Sequence, residues 1–378
     1  HRYQSSCDTE LILHALEEYG PGALDRFRGM FAFALWDQRR RTLFCARDRL
    51  GIKPLYYYWD GRLFAFASEV KALLEHPAIS PALDESTLAE YLAFGYLSDQ
   101  RTMFAGIRQL MPGHWLRLEL DGGKPRLEIR QYWDAPKQPQ ALPEQDDDAL
   151  IRECRERLEE TVRMRLMSDV PLGMFLSGGV DSSVIAALMK RMVTGPVVTF
   201  SVGYREAAFS ELAFSKQVAE HLGTKHQEVV VEPREFFNAL PRLVWHEDEP
   251  ITWPSSVSLY FVSKLAAREV KVVLTGEGSD ELFAGYDPFR ALRWADRYQK
   301  LVPRPIHRAI SLLIARLPVS HRNMSLDFKL KRTLRGLDHP PSLWCPVWMA
   351  PLGPADLDEC FGERMDLEDV YSEAIAQW

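Results

Sequence analysis

Nowhere in the 378 residues does an apolar run approach 18 residues, and the chain does not open with a basic segment, an apolar stretch and a small-residue cleavage site in succession. A membrane-spanning helix and a secretory leader are thus unsupported, and a cytoplasmic location is expected. Cysteine is scarce. Cys7, Cys45, Cys154, Cys345 and Cys360 are odd in number and show no ligand-like pairing, so neither a disulfide framework nor a zinc cluster is indicated. Positive charge is in deficit too: 46 Lys and Arg stand against 53 Asp and Glu, a formal net charge of -7. That balance offers no broad attraction to nucleic acid or to anionic membrane, so the expected partners are small metabolites. An initiating methionine is missing, and both ends are expected to be cuts through a longer protein. No internal repeat is visible.

What is present suffices for a large core. Hydrophobic residues make up 46% of the chain, and its length suggests two or three domains. Leu11, Leu13, Ala15, Leu16 and Tyr19 predict a helix in "TELILHALEEYG", stopped by Gly20-Pro21. Aromatic-rich runs follow, "GMFAFALWD", "RTLFCARD", "KPLYYYW" and "GRLFAFAS", separated by turns such as Asp37 to Arg41 and Asp60-Gly61. Their near-continuous apolar character predicts strands covered on both faces. A helix from about Ser86 to Phe94 and strands near Trp115 to Leu120 complete an α+β unit, residues 1–134. Residues 135–148 are rich in Pro, Gln and Asp, have nothing to bury, and read as a linker. The second unit, residues 149–378, starts with a helix in which Ile151, Cys154, Leu158, Val162 and Leu166 recur at three- and four-residue intervals. Strand-like segments "VPLGMFL", "PVVTFSV", "HQEVVV" and "VKVVLT" then alternate with helical ones, which predicts an α/β arrangement with a largely parallel sheet. Residues 288–378 read as mostly helical.

Two glycine-bearing turns fall at the carboxyl ends of predicted strands, where ligands of such sheets bind. In "FLSGGVDSS", Ser177, Gly178 and Gly179 precede a helix starting near Asp181 or Ser182. The glycines permit a tight turn whose N–H groups converge on an anion, and the helix N-terminus adds more. Ser177, Ser182 and Ser183 supply hydroxyl donors. The loop holds no lysine, and neither G-x-x-x-x-G-K nor G-x-G-x-x-G occurs, which excludes the nucleotide triphosphatase loop and the dinucleotide fingerprint. Asp181 would repel a bare phosphate, so a divalent cation, magnesium, is inferred between them. The alternative is a plain connector capped by Asp181. The second turn, "TGEGSDELFAGY" at 275–286, again combines glycines, a hydroxyl and carboxylates. If the turns meet, Asp181 and Asp280 share a metal and Glu277 faces the reacting group. Read alone, this stretch is equally a loop of capping carboxylates.

"LSGGVDSS" resembles the pyrophosphate-binding motif of the ATP pyrophosphatase superfamily. Together with "VVLTGEGSDELFAGY" and "DEP...PSS" it is similar to the synthetase domain of glutamine-hydrolysing asparagine synthetase. "CDTELILHALEEYG", "RFRGMFAFALWD", "FCARDRLGIKPLYYY" and "FASEVKALL" resemble, in order, that family's class II glutamine amidotransferase domain. The resemblance runs from about residue 3 to about 290. It implies part of an N-terminal-nucleophile, αββα glutaminase-like domain followed by an α/β domain of the ATP-pyrophosphatase, adenine nucleotide alpha hydrolase-like type. It also implies that Ser177, Gly178, Gly179, Asp181, Ser182 and Ser183 hold the pyrophosphate of ATP, with Mg2+ at Asp181 and Asp280. Phe175 and Val202 are implied beside the adenine, Thr275 and Gly276 as backbone contacts to the nucleotide, and Glu277 as the residue positioning acceptor and ammonia. Asp8 is implied to face the α-amino group of glutamine. The substrates implied are glutamine, aspartate and ATP, and a homodimer is a further expectation. Aspartate would be adenylated with release of pyrophosphate and then amidated by ammonia. Another carboxylate acceptor, or a nucleotide-binding protein without turnover, are the alternatives.

Departures from the family pattern qualify this. The family's nucleophile is an N-terminal cysteine followed by glutamine-clamping segments, none of which precedes "CDTE", and Cys7 is not in that place. A lysine and a "DR...EVR.PFLD" segment toward the C-terminus are absent too. The chain as given is therefore expected to lack glutaminase activity, and the missing C-terminal segment puts its synthetase activity in question as well. Trp253 stands where many relatives have an acidic residue, which weakens the case for aspartate as acceptor. His246 beside Glu247, Asp248 and Glu249 reads as an exposed helix end, "DQRRR" at 37–41 as a solvated hairpin turn, and Asp48 and Arg49 as charges wanting partners at a domain interface.

Overall fold

The computed structural model of the chain describes residues 1–120, 123–136, 146–320 and 325–377. It divides into two compact units, 1–91 with 96–141 and 92–95 with 142–378. The expected linker falls mainly on residues 137–145, outside the described residues.

The first unit opens with helix α1 (Asp8–Tyr19), which stops at Gly20 in a positive-φ conformation, as Gly20-Pro21 predicts. Strands β1 (Ala32–Asp37) and β2 (Thr42–Arg47) form the predicted hairpin, its turn held by Asp37 Oδ1 accepting the amides of Arg39 and Arg40. Strands β3 (Tyr56–Trp59) and β4 (Phe64–Ala67) lead to helix α2 (Val70–Leu74), then α3 (Leu88–Phe94), β5 (Ile107–Gln109), β6 (His114–Glu119) and β7 (Arg126–Gln131). Two antiparallel sheets result, β1-β2-β6-β7 and β4-β3-β5.

The period-2 alternation of β2 explains the layering. Phe44 and Ala46 pack with Trp115, Leu24 and Leu16 of α1, whereas Cys45 turns the other way onto Leu55, Tyr57 and Leu116. Tyr56, Tyr58 and Ile107 in turn pack on Val70 and Leu73 of α2. Helix, sheet, sheet and helix therefore stack in the expected αββα order. Full coverage of every strand is not found. β2 is buried, but the edge strands expose Trp36 of β1 and Phe66 of β4 at 49% and 45%. Continuous hydrophobicity does not distinguish an edge strand from a central one. Strands β5 and β7 and helix α2 were not anticipated, being short or, in β7, charged.

Asp48 and Arg49 find partners inside this unit rather than at an interface. The Asp48 carboxylate, 1% exposed, accepts the amides of Phe31, Leu50, Ile52 and Lys53 at 3.0–3.2 Å. Arg49 donates to the Asp25 carbonyl. Neighbouring Arg47 donates to the carbonyls of Gly51, Lys53 and Leu110, and burial pulls its guanidinium below the usual arginine range.

The second unit starts with α4 (Asp147–Arg165), β8 (Leu172–Phe175), α5 (Val180–Met192), β9 (Val198–Tyr204), α6 (Leu212–Leu222) and β10 (Lys225–Val231). Next come α7 (Pro233–Glu247), α8 (Pro254–Ala266), β11 (Val272–Leu274) and α9 (Ser279–Phe283). The four strands are parallel in the order β10-β9-β8-β11, as the alternating pattern predicts. One face packs Met174 and Leu176 on Val162, Ala186, Met189 and Ala219, and the other packs Phe200 on Val262, Ala266 and Val270. Of the seam read in α4, Val162 is buried and Leu158 and Leu166 pack against it, while Ile151 is exposed. Helices α10 (Asp287–Leu301), α11 (Arg304–Ala315), α12 (Leu326–Leu337), α13 (Trp344–Met349), α14 (Pro354–Phe361), α15 (Leu367–Val370) and α16 (Ser372–Gln377) make up the expected helical region, with proline in the first turn of α10, α11 and α14.

Removing the Asp48 carboxylate leaves four part-buried amides without their acceptor. Asp48→Ala is expected to lower the stability of the first unit by about 2–4 kcal/mol, read as an earlier midpoint in urea denaturation followed by tryptophan fluorescence.

Candidate active site

Strands β8 and β11 are direct neighbours, with Leu274 in register with Met174. The chain runs outward from β8 to β9 and β10, then returns to the other side of β8 as β11. This reversal makes the carboxyl ends of β8 and β11 a topological switch point, where open α/β sheets bind ligands. The two glycine turns follow these two strands and so meet.

A cavity of about 480 Å³ lies between them, lined by Phe175, Ser177, Gly179, Asp181, Ser182, Val202, Thr275, Gly276, Glu277 and Asp280. These ten are all residues singled out in the sequence. Gly178 and Ser183 do not reach it. They border a second, mostly apolar hollow between α5 and α6, and the Ser183 hydroxyl donates to the Gly179 carbonyl at 2.6 Å. Gly178 adopts φ +85°, and a Cβ there would stand 2.5 Å from the Ser215 amide nitrogen. Its part is to let the turn lie against α6. Asp8 belongs to the first unit, exposed at the start of α1, where its carboxylate accepts from Thr9 Oγ1.

The polar end of the cavity is pre-tied. Ser177 and Ser182 hydroxyls are 2.9 Å apart, the Ser177 amide donates to Ser182 Oγ, and the Gly179 amide donates to Ser177 Oγ. The N-terminal turn of α5, thirteen residues long, directs further amides the same way. Gly276 closes the arrangement: a Cβ on it would lie 2.8 Å from the Ser182 amide nitrogen. The opposite end is apolar, with Phe200 fully buried and Phe175, Val202 and Val262 packed around it.

Several lining residues escaped the sequence reading. Glu281 and Tyr286 sit within the quoted "TGEGSDELFAGY" but received no role, and Glu211 had no local signal at all. The Tyr286 hydroxyl donates to Glu281 at 2.9 Å. That hydrogen bond, then burial and the nearby charges of Glu281, Asp280 and Glu277, pushes the phenol up to about 12. The cavity mouth is thus strongly negative, a setting that favours a divalent cation.

Around "HEDEP", His246 meets the rings of Trp245 and Tyr260. Among the described residues the metal-type grouping is instead His1, His14 and Glu17, which had not been singled out. Trp253 packs against the 92–95 segment, where a Cβ on Gly95 would lie 2.7 Å from the indole nitrogen. Glu249 is half-buried. Desolvation, with Glu247 and Asp248 adding like charge, raises its carboxyl to about 7.

A parallel sheet with two glycine-bearing turns at its switch point follows an αββα unit in the same chain. Comparison with known proteins agrees. The profile "Asparagine synthase" matches residues 153–344, and "Glutamine amidotransferase domain" matches residues 1–133. A Bacillus subtilis asparagine synthetase [glutamine-hydrolyzing] 1 is 35% identical over 86% of this chain and 50% of its own length. A Methanocaldococcus jannaschii relative carrying an asparagine synthetase name is 33% identical over 99% of this chain and 68% of its own. Amidase chyE of Penicillium rubens is 31% identical over 89% of this chain and 50% of its own length. The chain belongs to the asparagine synthase family, and it spans about half the length of the curated relatives it matches first.

Gly276→Ala is expected to force the two turns apart and to weaken nucleotide binding by at least about tenfold, near 1.4 kcal/mol, read by calorimetric titration. Glu249 gives a pH test. Its folded pKa lies above its unfolded value, so the folded form binds a proton more tightly. Stability should then fall as pH rises from about 4.5 to about 7 and level off above. Glu249→Gln should remove that loss, making the variant more stable at pH 8 by roughly 1–3 kcal/mol and no more stable at pH 4, measured by urea denaturation at both values.

Proposed function

We propose that this protein is a glutamine-dependent asparagine synthase in which ATP binds across the cavity between the turns at 177–182 and 275–281. The observation that carries this reading is the meeting of amide-rich and carboxylate-rich turns in one cavity that is apolar at its far end. The apolar end, with Phe175 and Val202, suits an adenine. Ser177, Gly179, Ser182 and the α5 N-terminus suit the phosphates, with Gly178 and Ser183 supporting the turn from behind. Thr275 and Gly276 offer backbone contacts beside the α-phosphate.

Asp181 and Asp280, with Glu277 and Glu281 nearby, would repel a triphosphate if left bare, so the donor set fits Mg2+ at Asp181 and Asp280. When bound, Mg2+ would offset phosphate charge and favour pyrophosphate departure. The aspartate side-chain carboxylate attacks the α-phosphorus, its new P–O bond replacing the bond to pyrophosphate. Ammonia then attacks the acyl carbon of the adenylate and AMP leaves. The amides of the first turn take up charge developing on the leaving oxygens, and Glu277 positions acceptor and ammonia. In the first unit, Asp8 is proposed to face the α-amino group of glutamine, while no residue of 1–378 is proposed as the glutaminase nucleophile. A cytoplasmic homodimer is the proposed working form.

A second reading keeps the cavity and changes the acceptor. Trp253 favours it, since an indole stands where many relatives carry an acidic group, and one relative carries an amidase name.

With ammonium chloride as nitrogen source, the full-length protein that carries this chain should release pyrophosphate from ATP when aspartate is added. Asp181→Asn should weaken Mg2+-dependent ATP binding at least about tenfold. Glu277→Gln should leave binding nearly unchanged and lower pyrophosphate formation by about a hundredfold or more. Release with another carboxylate but not aspartate would select the second reading, and a chain that binds no ATP would end both.

A further inference from the structure

Imidazole and carboxylate side chains gather at the start of the first unit. On α1, Glu10 precedes His14 by four residues, and Glu17 and Glu18 follow it by three and four, so all four side chains share one side of the helix. The segment before the helix folds back over them. The amides of Gln4 and Ser5 and the Ser5 hydroxyl donate to the Glu10 carboxylate. This return brings the His1 ring onto the His14 ring, stacked with centroids 4.5 Å apart, and sets Tyr3 edge-on to His14 at 5.2 Å.

Each ring then has a carboxylate at both of its nitrogens. His14 Nε2 lies 3.5 Å from Glu10 Oε1, and its Nδ1 lies 3.4 Å from Glu17 Oε2. His1 Nε2 lies 3.3 Å from Glu18 Oε2, and its Nδ1 lies 3.7 Å from the same Glu17 Oε2. A neutral imidazole has one N–H and can satisfy only one of its two carboxylates. With Nε2–H of each ring turned to Glu10 and Glu18, two Nδ1 lone pairs and one carboxylate oxygen face one another. A second proton on each ring would instead stack two positive rings 4.5 Å apart. One cation between the three atoms answers all of them. Ligand atoms held tetrahedrally about 2.0–2.1 Å from a zinc ion stand about 3.3 Å apart, close to the 3.4 and 3.7 Å found here. Glu10 and Glu18 then occupy the place of the carboxylates that back ligating histidines and fix their tautomer. We propose that His1 Nδ1, His14 Nδ1 and Glu17 Oε2 bind one divalent transition-metal ion of the zinc type. Two imidazoles and a carboxylate suit such an ion better than magnesium or calcium, which take oxygen ligands. Water completes the coordination. Only side chains take part, and the ion would clip residues 1–6 to α1, closing a loop that carries Asp8.

The test is competition for zinc between a chromophoric chelator and the full-length protein that carries this chain. Its amino terminus is acetylated so that a free amine cannot chelate, and magnesium is in excess. His14→Gln and Glu17→Gln should each weaken the affinity for one equivalent of zinc at least about tenfold. Zinc should also raise the melting midpoint of the parent protein and leave that of both variants where it was, since only the parent binds the ion at this place. The Glu17 side chain is 68% exposed, so Glu17→Gln removes the ligand without disturbing the core even where His14→Gln loosens the helix. Zinc affinity that survives both changes would overturn the proposal. So would a protein that binds no zinc, its Nδ1 atoms then being held by protons alone, or one from which magnesium displaces the ion.

Discussion

The hydrogen-bonded pairing of β8 with β11 is the constraint on which the site depends. It joins strands separated by almost a hundred residues, and it places the turn after each within reach of the other. Neither turn is a site alone. The first supplies amides and hydroxyls, and its one charged group, Asp181, adds negative charge rather than offsetting it. The second supplies carboxylates and a glycine that must be small because the first turn's helix begins 2.8 Å from where its Cβ would be. Such contact tolerances are a property of close-packed interiors, where one methyl group is felt.

Electrostatics then narrows what the cavity can accept. Amide N–H groups and a helix N-terminus draw anions in, while Asp181, Glu277, Asp280 and Glu281 repel them. Under the proposed function, the two tendencies would be reconciled by a ligand that is itself mixed, a polyphosphate accompanied by a divalent cation. The Tyr286 phenol registers the negative side of this balance, being held protonated by a carboxylate it donates to and by others close by.

Much of this was legible in the sequence because local rules suffice for it. Strand and helix alternation predicted the parallel sheet, and the composition of the two turns singled out Ser177, Gly179, Asp181, Ser182, Glu277 and Asp280, whereas Phe175, Val202, Thr275 and Gly276 came from the family resemblance. The order of strands was not legible, since nothing in "VKVVLT" says that it pairs with "VPLGMFL" rather than with "HQEVVV". Glu211 was missed for the same reason: it reaches the cavity only because Gly203 lets β9 come within a van der Waals contact of Ser210 and Leu212. Gly178 and Ser183 belong to the motif yet face away, because a turn has two sides and a helix start directs successive residues about 100° apart. Asp48 and Arg49 were read correctly as needing partners, but the partners were backbone groups of their own unit, which sequence spacing does not reveal.

Under the proposed function, the separation of nucleotide chemistry from acceptor choice has a physical origin. Activation of a carboxylate by nucleotidyl transfer engages atoms that every carboxylic acid shares, so the turns that perform it carry no information about the rest of the acceptor. Discrimination requires groups that pair with, or exclude, the acceptor's other end, and an isostere is rejected strongly only where a buried polar partner would be left unpaired. The Trp253 indole, which packs against Gly95 outside the cavity lining, brings one donor and a large apolar surface and no charge. On that reading, Glu277 meets the reacting carboxylate that all acceptors share, and discrimination between acceptors falls to elements outside the two turns.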